Sequence, residues 1–239
     1  MRVWQHTLLN EAGVGGVEKH IACVSAALRA RGHEVHVGRE PPEKWRRDEA
    51  TPLIVHTRGG AWPGAALVRM VRAHPAARWI HVCHGTSVGR VLACREYFSL
   101  SGGRGSLRDF LPTHFADAAV AVSARALAEA RRYFRMRLPA AVVANAADGA
   151  IFKPVTKLEQ RPRLAFVGRG GDRVKNVPTL LEACERARVR FPGLELRAAP
   201  GLDDDGVSRP WLTNLGPLDS ANLARELASC RALVLCSYY

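Results

Sequence analysis

Leu164-Ala165-Phe166-Val167-Gly168-Arg169-Gly170-Gly171-Asp172-Arg173-Val174-Lys175-Asn176 joins a short apolar run to a glycine-bearing turn. Two cations, Arg169 and Lys175, stand six positions apart in that turn. An amphipathic stretch, Val177–Phe191, follows at once. A short apolar run, a turn and a helical period spell strand, loop and helix, the first half of a βαβ unit. Arginine binds phosphate as a planar fork and lysine as a point charge, so the pair can converge on one diphosphate. A plain solvated basic loop is the alternative.

Working outward, Leu194–Ala198 and Leu212–Leu215 have strand character, Ala221–Cys230 is helical, and Ala232–Cys236 is again strand-like. Upstream, Asp148–Pro162 is polar and holds Pro154 and Pro162, as a linker would. Before it the alternation runs once already. Arg2–Leu9, His33–Gly38, Leu53–Thr57, Arg78–Cys83, Ala118–Val122 and Ala141–Val143 are expected strands. Val17–Arg31, Ala65–Ala73 and Ala124–Phe134 are expected helices, with Gly32 ending the first and Ser123 capping the last. Pro41–Thr51 is expected to be a polar loop. Alternating strands and helices imply mostly parallel sheets. The expected fold is therefore α/β, with two Rossmann-like domains over residues 1–150 and 151–239. The second is expected to be incomplete, because no helix follows the last apolar run before Ser237-Tyr238-Tyr239.

Composition narrows the class. Of the 239 residues 47% are hydrophobic and 24% charged, as in an ordinary globular protein. No apolar run reaches the length of a membrane span, and Met1–His6 lacks the character of a signal peptide, so a cytoplasmic protein is expected. Six scattered cysteines never form a C-x-x-C pair and are expected to be mostly buried thiols, without a zinc site. The net charge is +13, and residues 1–150 hold 21 Lys/Arg against 12 Asp/Glu. Such a surface attracts phosphorylated substrates or an anionic membrane. Nucleic acid is not expected, since no recognition helix or aromatic platform accompanies the charge.

A second glycine loop, Gly13-Val14-Gly15-Gly16-Val17-Glu18-Lys19-His20, links the first strand to the first helix. Glycines there let backbone amides approach a phosphate at a helix N-terminus; a ligand-free tight turn fits equally. Its spacing is not that of the dinucleotide fingerprint. The two glycine loops hold equivalent places in the two halves, and facing each other they would bracket a diphosphate. His81 and His84, three apart, are expected on opposite sides of a strand, which disfavours a shared metal. Val88–Leu111 mixes Arg90, Arg95, Arg104 and Arg108 with aromatic and aliphatic residues, as an interfacial segment would. A surface loop is the alternative.

Taken in order, the segments resemble the family 4 (group 1) retaining glycosyltransferases, which have the GT-B fold. Gly15-Gly16-Val17-Glu18-Lys19-His20 and Arg31-Gly32-His33-Glu34-Val35 resemble that family's opening. Val82-Cys83-His84-Gly85-Thr86 resembles its histidine-bearing strand end, and Ala116–Ser123 its A-D-x-x-x-x-x-S stretch. Asn145–Pro154 resembles its N-G-V-D-x-x-x-F-x-P segment, with alanines replacing glycine and valine. Gly168-Arg169 with Lys175 resembles its donor loop, and Leu215-Gly216-Pro217-Leu218-Asp219 the segment beside the nucleobase. The family's paired glutamates would begin just past Tyr239, which is why a part of the donor half is expected to be missing.

The resemblance implies a nucleotide-sugar donor, a glycan or lipid-linked acceptor as in lipopolysaccharide synthesis, and no metal or other cofactor. Arg169 and Lys175 would hold the diphosphate and act in catalysis, with His84 lining the donor sugar. Gly15 and Gly16 would approach the donor from the first domain, and Leu218 would pack near the base. Glu18 would reach the site or serve only as a first-turn acid. Two other functions fit the same scaffold: a non-catalytic remnant or partner subunit, and another GT-B enzyme such as a nucleotide-sugar epimerase.

Overall fold

Strand β1, Arg2–His6, is buried along nearly its whole length, as the central strand of a parallel sheet must be. The computed structural model describes residues 1–7, 16–47, 51–58, 65–85, 110–154, 162–202 and 207–238. Those residues divide into two compact units, Met1–Ala146 and Ala147–Tyr239.

In the first unit β1 leads to α1 (Gly16–Ala30), β2 (Glu34–Gly38), α2 (Glu43–Arg47), β3 (Leu53–Arg58), α3 (Ala65–Ala73) and β4 (Ala77–Cys83). A helical stretch over 110–115, then β5 (Ala118–Ala121), α4 (Ala124–Phe134) and β6 (Ala140–Val142) complete it. The six strands lie in the order β2-β1-β3-β4-β5-β6, each neighbour parallel. Helix α4 shows how local chemistry sets boundaries. Ser123 caps it from an extended backbone, its hydroxyl accepting from Ala126 N at 3.1 Å. Arg135 ends it at φ 51, in the left-handed region.

The core of this unit is partly polar. Gln5 Nε2 donates to Ser25 Oγ at 2.5 Å, joining β1 to the inner face of α1. The Trp79 indole donates to Thr57 Oγ1 at 2.7 Å, and the same hydroxyl shares a hydrogen bond with His81 Nδ1 at 3.2 Å. His81 is thus held, buried, between β3 and β4. Burial pushes its pKa down to about 4, and burial followed by the nearby Arg39 does the same to His6.

Two expectations are corrected here. Pro41–Thr51 is not simply a polar loop: Glu43–Arg47 forms a helical turn, closed by Trp45 N donating to Pro42 O at 2.9 Å. Trp45, only 1% exposed, anchors it in the core beside Trp4 and Trp79. Cys23 is exposed, because the inward stripe of α1 passes through Ile21 and Ser25. Cys83, Cys184 and Cys230 are buried, and burial raises the last two thiols above their ordinary range. Cys94 lies outside the described residues. So does nearly all of Val88–Leu111.

The second unit runs β7 (Arg163–Arg169), a 3₁₀ turn (Arg173–Lys175), α5 (Val177–Arg190), β8 (Glu195–Gly201), β9 (Leu212–Asn214), α6 (Ser220–Ala228) and β10 (Ala232–Leu233). Its sheet order is β10-β7-β8-β9, again all parallel. Phe166, Leu180, Cys184, Leu196, Ala198 and Leu202 form its core. Strand β10 is shorter than the apolar run Ala232–Cys236 implies. After Val234 N donates to Ala165 O, the chain leaves β7 and crosses to the 3₁₀ turn. No described helix is long and apolar enough to cross a membrane.

The buried histidines set a pH dependence. An unfolded chain binds protons on His6 and His81 as pH falls through about 6.5, whereas the folded chain resists until about 4. Folding stability should therefore fall between those values and level off below. Urea titrations at pH 7 and pH 5 should show this loss, with a shallower slope in His81→Asn. An unchanged slope in that variant would remove His81 from the account.

Candidate functional site at the carboxyl edge of the second sheet

Strand β7 is central, with β8 on one side and β10 on the other, so the direction of winding reverses between β7 and β10. Ligands in doubly wound sheets bind outside the strand carboxyl ends at such a point. Here the segments beyond those two strand ends meet: Tyr238 N donates to Val174 O at 2.9 Å, tying residues 234–238 to the 3₁₀ turn.

Arg169 is the last residue of β7 and is exposed. Lys175 closes the 3₁₀ turn and is half-buried. The sequence gives no reason for their nearness, but Gly168 does. A Cβ at Gly168 would lie 3.2 Å from Lys175 Cε, 3.3 Å from its Cδ and 3.2 Å from Phe166 Cζ. The lysine stem thus lies across the glycine, and any larger residue must displace it. This brings the ammonium group back to the strand end that presents Arg169. No ion pair among the described residues involves either cation.

The turn holds its own shape. Asp172 Oδ1 accepts from Val174 N at 3.2 Å, and Asp172 O from Lys175 N at 2.7 Å. Arg169 O accepts from Asp172 N and Arg173 O from Asn176 N, both at 3.1 Å. These four amides are bonded inside the turn, and the Arg169 and Lys175 side chains stand near the N-terminal end of α5, where the helix dipole favours an anion. Asn176 makes the corner at φ 52, is buried, and accepts from Thr179 Oγ1 at 2.9 Å through Oδ1.

Along the same edge, Gly201 ends β8 at φ +136, and an added Cβ would meet Asn214 at 3.4 Å. Asn214 Oδ1 accepts from Leu202 N at 2.9 Å, locking the ends of β8 and β9 together. Leu218 is half-buried between Gly216, at φ 72, and Asp219. Asp219 caps α6, and the amide of Asn222 donates to it at 2.7 Å, which holds its carboxyl below the usual range.

In the first unit, His84 lies just past β4 and is half-buried. Its ring meets His20 of α1 edge to face, centroids 5.0 Å apart. Gly16 is the first residue of α1, and an added Cβ there meets no atom within 4 Å among the described residues. Gly15 lies outside the described residues. Glu18 occupies the first turn of α1. Asn176, Tyr238 and His20 were not singled out in the sequence. Asn before Val177-Pro178 is a usable signal of a left-handed corner. The others act through backbone and ring contacts that have no motif.

No known protein family matches the chain. No curated protein matches it either. Solved structures do match in fold. Sucrose-phosphate synthase from Thermosynechococcus elongatus is similar over 100% of this chain and 76% of its own, with TM-score 0.78 and 16% identity. Anabaena HepE, in complex with UDP and glucose, is similar over 99% of this chain and 74% of its own, with TM-score 0.63 and 12% identity. The catalytic domain of starch synthase IV from Arabidopsis thaliana, bound to ADP and acarbose, is similar over 99% and 78%, with TM-score 0.59 and 12% identity. The mixed α/β architecture with parallel sheets is that of the GT-B fold.

The Asn176 corner yields a stability prediction. A left-handed backbone costs an L-residue about 1–2 kcal/mol. Asn176→Ala should lower unfolding free energy by about that amount, and Asn176→Gly by distinctly less, measured by chemical denaturation. Equal losses would assign the effect to the bond with Thr179 instead.

Proposed function

We propose that this protein transfers a sugar from a nucleoside-diphosphate sugar to a glycan or lipid-linked acceptor. The transfer proceeds with retention of configuration, in the synthesis of cell-surface polysaccharide or lipopolysaccharide. The observation that carries the reading is the crossing of Lys175 over Gly168, which sets two cations, in no ion pair among the described residues, at the winding reversal of the second sheet. A diphosphate leaving group gains negative charge as the bond to the anomeric carbon breaks. Fixed cations stabilise that charge most where it develops, which is transition-state stabilisation. UDP in the HepE structure and ADP in the starch synthase structure support the donor class.

In this reading Arg169 grips the diphosphate as a fork and Lys175 neutralises it as a point charge. Leu218 packs against the base. His84 hydrogen-bonds a hydroxyl of the donor sugar, and Gly15 and Gly16 approach the donor from the first unit. The cations need no metal to do their work. A lipid-linked acceptor places the enzyme in peripheral contact with an anionic membrane.

Calorimetry with UDP, ADP, GDP and dTDP tests the reading. One nucleotide should bind selectively, and Arg169→Ala and Lys175→Ala should each weaken it by about tenfold or more, the worth of a charge-assisted contact. Gly168→Ala, which displaces the lysine stem, should weaken binding in the same direction without a large change in melting temperature. If the folded chain binds none of the four, the protein is a scaffold and not a transferase. The base that binds identifies the donor.

A further inference from the structure

Two cysteines of the second unit, far apart in sequence, share one layer of its core. Cys184 lies on the buried face of α5 and is only 3% exposed. It packs in the cluster of Phe166, Leu180, Leu196 and Ala198. Cys236 comes two residues after Val234, whose amide donates to Ala165 O at 2.9 Å just before the chain leaves β7. Val234 and Cys236 both pack against that same cluster, on the side of the sheet that α5 covers, as residues two apart in a strand-like run do. The Cys236 side chain is half-exposed, whereas Cys83, Cys184 and Cys230 are buried.

Cys184 alone is what a core position of a helix often holds, since a thiol packs as a small apolar group. A second thiol beside it, reachable from solvent, makes a different chemistry available. Burial holds the Cys184 thiol above its ordinary range, and the nearness of Cys236 and then of Glu185 raises it further. A like charge acts in this way only from a short distance, so the two sulfurs are neighbours across the layer. No other cysteine among the described residues shares a core cluster with a second one.

We propose that Cys184 and Cys236 are an oxidisable dithiol pair, closed to a disulfide by exchange with a small-molecule disulfide such as oxidised glutathione. The half-exposed Cys236 reacts first. Its thiolate attacks one sulfur of oxidised glutathione, which forms a mixed disulfide and releases one glutathione thiolate. The Cys184 thiolate then attacks the Cys236 sulfur, the bond between the two cysteines forms, and the second glutathione leaves. The two cysteine protons end on the two glutathione thiols, and the electron pair lost by the protein reduces glutathione. Cys236 lies past the last ladder bond to β7, so its backbone is free to close on α5. The bridge joins α5 to the segment whose Tyr238 amide donates to Val174 O, and it clamps that segment against the 3₁₀ turn. The inference goes beyond the proposed transfer reaction and uses neither Arg169 nor Lys175.

The test is titration of the folded 239-residue chain with oxidised glutathione, followed by acid quenching, denaturation, alkylation and peptide mass mapping. Cys184 and Cys236 should lose alkylation together and appear as one crosslinked peptide pair, while the exposed Cys23 carries glutathione singly. In Cys184→Ser, Cys236 should stop at the mixed disulfide. In Cys236→Ser, Cys184 should stay reduced, because burial shields it from the reagent. In the oxidised wild type, hydrogen exchange at the Tyr238 amide should slow several-fold, as the clamp requires. A wild type in which Cys236 holds glutathione while Cys184 remains a free thiol would overturn the inference, and that result needs no variant. So would two thiols that stay free throughout the titration, or oxidation of Cys184 at an unchanged rate in Cys236→Ser. Unchanged exchange at Tyr238 in the bridged protein would overturn the clamp.

Discussion

Parallel pairing around a central first strand is the constraint on which the molecule depends. Once β1 lies between β2 and β3, and β7 between β8 and β10, each connecting helix must run back antiparallel to its strands. Every helix N-terminus is then delivered to one edge of its sheet and every helix C-terminus to the other. The edges therefore differ in electrostatic character before any side chain is chosen. Partial positive charge and glycine turns gather at the carboxyl edge, and partial negative charge gathers where the strands begin. Arg169 and Lys175 add to the first. Arg131 and Arg132, in the last turn of α4, oppose the second.

Within the second unit, the carboxyl edge is fixed by a few close approaches and not by a large apolar contact. Gly168 admits the Lys175 stem, Asn176 turns the corner, and the Tyr238 amide holds residues 234–238 against the turn. Each of these is a backbone or stem constraint. The carriers of the ammonium and guanidinium groups are thus already ordered. For the proposed diphosphate site this means that less conformational entropy is lost on binding than if a free loop had to close.

Most of the fold was legible because its signals are local. Ala65–Ala73 and Ala124–Phe134 have boundaries that periodicity and the Ser123 cap define. The alternation of strands and helices was enough to imply parallel sheets. What escaped was decided at long range. Trp45 stands among charged residues, so its sequence neighbourhood reads as loop, yet its burial beside Trp4 and Trp79 creates a helical turn. Cys23 looks apolar in sequence, yet α1 turns Ser25 inward because Gln5 offers it a partner on β1. The apolar run at Ala232–Cys236 promises a longer strand, and the tether at Val174 shortens it. The cations of the loop after β7 were visible as residue types. The return of Lys175 to the strand end was not, since it depends on its stem lying over a residue seven positions earlier.

The polar elements of the first core follow the same logic of satisfied partners. A buried hydroxyl, amide or imidazole is costly when left alone and nearly neutral when fully bonded. Thr57 Oγ1 accepts from the Trp79 indole and shares a hydrogen bond with His81 Nδ1, so three polar groups on β3 and β4 use one another. That chain of bonds works in only one register of the two strands. Sliding β4 by one residue would turn Trp79 and His81 to the other face and strand Thr57. The apolar residues alone would tolerate such a slip better, because Ile80 and Val82 could replace the inward pair. The polar triad thus selects the alignment that puts the end of β4, and His84 beyond it, beside His20 on α1. Register control deep in the sheet positions the outermost candidate residue of that unit.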